Sequence, residues 1–409
     1  MNFIGLSGHL NSGASGHYET FHEGLYLAVQ KCREVDHCVY AGSSLSNATW
    51  FYPSIPPSIV SKFPWARQNF ANELFDEINP GPESASLVHV YEGNLYWLFQ
   101  VSRLIRSEPR ARGYVNFFNS ARYTAISSNF FRSYFFKVMV RIALKGIEDR
   151  IVISADTKAM AGILTKITNQ KFFTYPIYSI LNPEDFNALY RDGILFLIRG
   201  HRMMEELITS LKRLSKETLD QITVHGVPTN AQIRTCESMG VKVSRKHLVG
   251  SEYSGFYKAF SHVVILYDPH IFSNQSSGRL CDALVARCHL MVTRESALFD
   301  VASEFGNFST FRISEIDQLF QTITSNRQPE FPAKVGDLPT AARAINQILL
   351  QNYESGLSKS SKIAPIEFKI VSLVMQVILF TLRIFFGVGL RISQFCKILW
   401  LRTPLTSRR

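Results

Sequence analysis

Short apolar runs alternate with stretches of helical period along most of the chain. In the first part the runs lie at 2–6, 38–41, 87–91, 114–118, 151–154 and 172–175. Between them, apolar residues recur at helical spacing at Tyr18, Phe21, Leu25 and Ala28, and again over 95–105 and 133–144. Strand and helix in regular alternation predict a parallel sheet with right-handed crossovers. The pattern lapses over 178–192, where Pro183 and Gly193 punctuate a polar stretch, and this is the expected domain junction. A second series then runs through strands at 194–198, 222–225, 241–244, 262–267, 289–293 and 311–313. Its helices are expected at 203–214, 231–239, 255–260, 315–324 and 340–350. Both halves read as doubly wound α/β units, with no repeat of solenoid length.

The expected layout is therefore a Rossmann-like domain over 1–180, a second over 190–356, a polar linker at 357–365 and a helical tail over 366–402. Two such domains facing one another leave a cleft between the carboxyl edges of their sheets. In the tail, 370–382 is only 13 residues long before Arg383, and 384–390 only seven before Arg391, short of the ~20 needed to span a bilayer. At about 100° per residue, Lys369, Ser372, Gln376, Arg383, Arg391, Lys397 and Arg402 share one sector of roughly 140°. A broad apolar face with a narrow basic one predicts helices lying in the membrane interface, peripheral on the cytoplasmic face. A single spanning helix and a partner-binding helix are the alternatives.

Charge and cysteines refine this picture. The net charge of +11 resembles a nucleic-acid signal until it is located. Residues 357–409 hold nine Lys or Arg against one acid, and the remaining 356 residues hold 35 bases and 32 acids. The excess belongs to the tail, so no nucleic-acid partner is expected. The six cysteines form no CxxC, which speaks against a zinc ribbon or a disulfide framework. They read as reduced thiols of a cytoplasmic chain, and the opening MNFIGLSG lacks the features of a signal peptide.

Candidate chemistry centres on SNQSSGRLCDALVAR, residues 273–287, a polar loop and helix start between two apolar strands. At the carboxyl edge of a parallel sheet, Ser276, Ser277 and Gly278 would present backbone N–H groups and a helix N-terminus to an anion. Asp282, one turn further on, could accept from a sugar hydroxyl. An ordinary helix cap is the alternative. Arg199 and Arg202 follow the first strand of the second half, where guanidinium groups would match a leaving diphosphate. The alternative is a solvated helix start. In the first half the loop GASGH holds Gly13, Ser15, Gly16 and His17 beside a helix start, placed to meet an acceptor. Glu92 and Asp156, at predicted strand ends, would line the same pocket or cap helices.

The second half, over ILFLIRGHRMMEEL, ITVHGVPTNAQIRTCESMGVKV and YSGFYKAFSHVVILYDPHIFSNQSSGRLCDALVARCHLMVT, resembles the donor domain of GT-B glycosyltransferases of the large retaining group, family 4. The resemblance implies a nucleotide-sugar donor held by Arg199, Arg202 and the Ser276–Gly278 turn, with the ribose on Asp282. It also implies a glycan or lipid-linked acceptor near Gly13–His17, retention of anomeric configuration, and no metal or other cofactor. The family's two acids eight positions apart correspond to Gln275 and Asp282; Gln275 cannot act as a base. His17, Arg199 and Gln275 are the residues this implies beside the reacting bond. Two other readings remain: a nucleotide-sugar epimerase of the same architecture, and a non-catalytic glycosyltransferase-like subunit at the membrane. The Walker, dinucleotide, HExxH and GxSxG signatures are absent from the sequence.

Overall fold

The computed structural model describes residues 1–7, 16–43, 52–55, 75, 85–118, 126–186, 191–226, 229–244, 255–269, 277–296, 298–305, 308–325 and 338–355. The linker and tail expected over 357–402 lie outside the described residues, as do Gly13, Ser15, Gln275 and Ser276. Among the described residues no helix is long and apolar enough to cross a membrane.

The first series folds as β1 (Asn2–Leu6), α1 (Gly16–Gln30), β2 (His37–Ser43), β3 (Tyr52–Ile55), β4 (Ser86–Gly93) and α2 (Leu95–Ser107). It continues with β5 (Ala111–Phe117), α3 (Phe130–Leu144), β6 (Ile151–Ala155), α4 (Lys158–Thr168) and β7 (Phe173–Thr174). All seven strands are parallel, in the order β3-β2-β1-β4-β5-β6-β7. The edge strand β3 went unread in the sequence for a physical reason. It has four residues, YPSI, and a proline cannot donate to a ladder, so the segment lacks a strand signature and is tolerated only at an edge.

A 3₁₀ turn at Pro183–Phe186 leads into the second series. This comprises β8 (Gly193–Arg199), α5 (His201–Leu211), α6 (Lys216–Leu219), β9 (Ile222–His225), α7 (Asn230–Ser238), β10 (Lys242–Ser244) and β11 (Phe260–Tyr267). After it come α8 (Gly278–Val285), β12 (His289–Thr293), α9 (Leu298–Ser303), β13 (Phe308–Phe311), α10 (Ile316–Ser325) and α11 (Ala341–Ser355). The order is β10-β9-β8-β11-β12-β13, again all parallel. Both sheets thus reverse direction beside their first strand, at β1/β4 and β8/β11, and such switch points are where open α/β sheets bind ligands.

Each sheet is covered on both faces, which is why its strands are nearly continuous apolar runs. Leu98, Val101, Leu104 and Ile105 of α2 pack with Val140 and Leu144 of α3 on one face of the first sheet. Met203, Leu207 and Leu211 of α5 pack with Leu319 and Phe320 of α10 on one face of the second, and Leu280 and Leu284 of α8 cover the other.

One element changes domain. The helix expected at 340–350 to close the second domain is α11, and it packs on the first. Its apolar stripe, Ala344, Ile345 and Ile348, meets Phe21, Leu25 and Val29 of α1. Polar residues on the same face then fasten it to the sheet: the Tyr114 hydroxyl donates to Gln351 Oε1 at 2.6 Å, and Arg112 donates to the Asn352 carbonyl at 2.9 Å. Sequence order alone could not show this, because an amphipathic stripe names no partner. The return crossing runs beside the outgoing one, with Ser179 N–H bonded to the Pro339 carbonyl at 2.7 Å and a parallel bridge between Ser179 and Thr340.

Candidate functional site

At the switch point of the second sheet, Arg199 ends β8 in register with Tyr267, which ends β11. The next residue on each strand continues the contact. Asp268 N–H donates to the Arg199 carbonyl at 2.9 Å, and Gly200 turns into α5 with φ of +108°. A Cβ at Gly200 would lie 2.9 Å from Cβ of Asp268, so backbone angle and space together call for glycine. Gly200 offers no side chain to the first turn of α5, and Arg199 and Arg202 flank that turn exposed. Helix α8 starts from the neighbouring strand. Its N-cap Ser277 makes no side-chain capping bond; its hydroxyl instead lies 3.4 Å from the Tyr267 hydroxyl. Two helix N-termini without side-chain caps thus open from adjacent strands, with two guanidinium groups beside one of them. Tyr267 relates to both: its backbone is in register with Arg199, and its hydroxyl lies beside Ser277.

Asp282, expected at a ribose hydroxyl, faces inward instead. It is 2% exposed, and its Oδ1 accepts a 2.6 Å hydrogen bond from Ser179 on the outgoing crossing. The physical reason is its place in α8: one turn past the N-cap, the helix is already packed against the segment joining the two sheets. A buried carboxylate needs such a partner.

The switch point of the first sheet is closed. Glu92, near the end of β4, accepts from the Ser7 hydroxyl at 2.8 Å and from His22 Nε2 at 2.7 Å. Ser7 follows β1 directly, and His22 reaches in from α1. Glu92 is 5% exposed and His22 1%. The His22 ring stands edge-on to Tyr40 and Tyr91, and among the described residues its Nδ1 has no hydrogen-bond partner. Further along the same edge, Asn116 donates to Asp156 Oδ1 at 3.1 Å and accepts from Ser154 at 3.1 Å. Neither acid is a helix cap, since Asn94 caps α2 and Thr157 caps α4. Both stand at strand ends as expected, though buried in polar networks. Gly16 and His17 open α1.

Sequence reasoning missed Ser7, His22, Asn116 and Ser179. His22 had a readable signal, because it sits on the apolar stripe of α1 beside Phe21 and Leu25, where a polar residue requires a partner. Beneath this network the imidazole of His89 is wholly buried, and burial, reinforced by neighbouring His22, pulls it down to about 3. Burial likewise pushes the Cys236 thiol up to about 11 and Cys288 to about 12. Those sulfurs stay protonated at neutral pH and are poor nucleophiles.

No family model matches the sequence, and no curated protein matches it. Solved structures do. A glycosyltransferase from Rickettsia africae ESF-5 is similar at 12% identity and a TM-score of 0.52, over 88% of this chain and 99% of that one. AviGT4, a glycosyltransferase involved in avilamycin A biosynthesis, is similar at 9% identity and 0.51, over 88% and 100%. A putative UDP-N-acetylglucosamine 2-epimerase from Listeria monocytogenes is similar at 13% and 0.50, over 89% and 99%. At such identities the likeness establishes the architecture, that of the two-domain α/β GT-B fold, and leaves the reaction to the site.

Proposed function

We propose that the protein is a glycosyltransferase that moves a sugar from a nucleotide-sugar donor to a glycan or lipid-linked acceptor. The observation that carries this reading is the switch point of the second sheet, where Arg199 and Arg202 are exposed beside a helix start without a side-chain cap. The donor diphosphate would lie across the first turns of α5 and α8, with Arg199 and Arg202 beside it. The leaving diphosphate gains negative charge in the transition state, and fixed guanidinium and N–H donors stabilise that charge more than the bound donor. The acceptor would lie toward the start of α1, near Gly13, Ser15, Gly16 and His17, above the buried Ser7–Glu92–His22 network. Gln275 completes the donor loop as a neutral hydrogen-bonding group. Retention of configuration, independence from metal, and a peripheral cytoplasmic location through 366–402 complete the proposal.

The test is calorimetric titration with nucleoside diphosphates, followed by transfer assays with the nucleotide sugar whose base binds. Arg199→Ala should abolish most of the binding; a variant that binds and transfers like the parent would refute the donor-site assignment. Product anomer by NMR and activity in a chelator test retention and metal independence separately.

A second reading, a nucleotide-sugar epimerase, is favoured by the likeness to the Listeria protein and by a His–carboxylate pair at the other switch point, a usual form of proton-transfer machinery. Incubation with nucleotide sugar and no acceptor distinguishes the two, since only an epimerase converts the donor alone. A chain that binds no nucleoside diphosphate would instead be a non-catalytic subunit.

A further inference from the structure

Helix α3 turns three large aromatic side chains outward in its first two turns. Phe130, Phe131 and Tyr134 are 77%, 81% and 61% exposed. The Phe130 ring stacks on Tyr134 at 6.4 Å and meets Phe131 edge-on at 5.8 Å, so the three form one cluster. The helix has no shortage of apolar residues for the core, because Phe136, Met139, Val140, Ala143 and Leu144 fill its buried face. The turn is also held in place: Asn129 accepts from Arg132 N–H at 3.0 Å. Contiguous aromatic surface on a fixed helix end marks a place where something docks.

Charge identifies the occupant. Residues 109–147 contain seven Lys or Arg and no Asp or Glu. Three of the bases, Arg132, Lys137 and Arg141, lie on α3 itself, and Arg132 is exposed in the same first two turns as the aromatic rings. Aromatic rings partition into the headgroup boundary of a bilayer, and guanidinium groups beside them pair with lipid phosphates. Position agrees as well. Because α3 follows β5, its first turn stands at the carboxyl edge of the first sheet, the edge that carries Ser7, Glu92 and Asp156.

We propose that the first turns of α3 dock this domain on an anionic lipid surface, independently of the segment 366–402. The docking rests on the transferase reading only for its purpose, which is to bring a lipid-borne acceptor to the edge where that reading places the acceptor.

Hydrogen–deuterium exchange on the full chain tests it. First-turn amides of a helix have no intrahelical partner and exchange quickly, so cover by lipid is easily read there. Vesicles of phosphatidylcholine with phosphatidylglycerol should slow exchange over residues 127–135, and vesicles of phosphatidylcholine alone should not. Arg132→Glu should weaken binding to the mixed vesicles by about fivefold or more at low salt. Phe130→Ser with Phe131→Ser should weaken it further while the melting temperature is kept. Unchanged exchange at 127–135 while the chain binds mixed vesicles would overturn the proposal. So would slowing of the same amides on raising protein concentration without lipid, which would reveal a contact between copies. Nucleoside diphosphate titration of the same variants separates the two ideas: absence of binding in the parent chain would end the transferase reading and leave the docking result standing.

Discussion

The two switch points share topology and differ in everything else. In the first sheet a carboxylate, an imidazole and a hydroxyl meet one another, out of water. In the second, two guanidinium groups, Arg199 and Arg202, meet solvent at the start of α5. A closed polar network is held by the fold and stabilises it in turn, whereas exposed guanidinium groups beside a helix start without a side-chain cap are what an anion-binding surface offers. Substitution should therefore separate them, one toward loss of stability and the other toward loss of ligand.

The largest effect is expected at Glu92. Glu92→Ala leaves His22 and Ser7 buried without their acceptor and should lower unfolding free energy by about 3–5 kcal/mol, read from urea denaturation. A change under about 1 kcal/mol would mean that the network is dispensable to the fold. Next comes Arg199→Ala, which should weaken nucleoside diphosphate binding by about tenfold to a hundredfold, the worth of one charge-assisted hydrogen bond. Its melting temperature should stay within a degree or two of the parent's, since the side chain is exposed. Loss of stability there would erase the contrast.

A third effect follows from His89, whose folded-state value of about 3 lies below the ordinary ~6.5 of the unfolded chain. The unfolded chain takes up this proton first as pH falls. The contribution is therefore complete above about pH 6.5 and is lost progressively toward 3. Between pH 7 and 5 the parent should lose about 2 kcal/mol that a His89→Phe variant does not. Equal losses in both would show that the imidazole is not held neutral. The smallest effect is expected at the seam between domains. Ser179→Ala removes one donor from buried Asp282 and should cost about 1–2 kcal/mol, with nucleotide affinity unchanged. A large fall in affinity would instead tie Asp282 to the donor.

Much of the architecture was legible because apolar periodicity is local. Strands β9 and β12 stand where the sequence reading puts them, and β8 and α10 differ by a residue or so at their ends. Arg199 and the Ser277 turn were legible for the same reason, as each follows a readable strand. What escaped was set by tertiary partners. His22 looks like one more position on an apolar stripe until Glu92 arrives from 70 residues away. Asp282 looks like a ligand residue until the crossing segment brings Ser179 beneath it. Helix α11 has the stripe of any surface helix, and only the exposed face of α1 decides where it lies. The α9 helix, six residues long, is too short to show a period.

That last helix to dock has a consequence for how the chain is made. The first domain's own strands are complete at Thr174, yet Phe21, Leu25 and Val29 wait for a cover synthesised more than 160 residues later, at Ala344–Ile348. The nascent amino-terminal half must therefore leave the ribosome with one greasy flank bare, guarded by chaperones or by its own transient collapse. Shape is sealed from the far end: a chain stopped at the interdomain junction would be an aggregation-prone fragment rather than a smaller working protein.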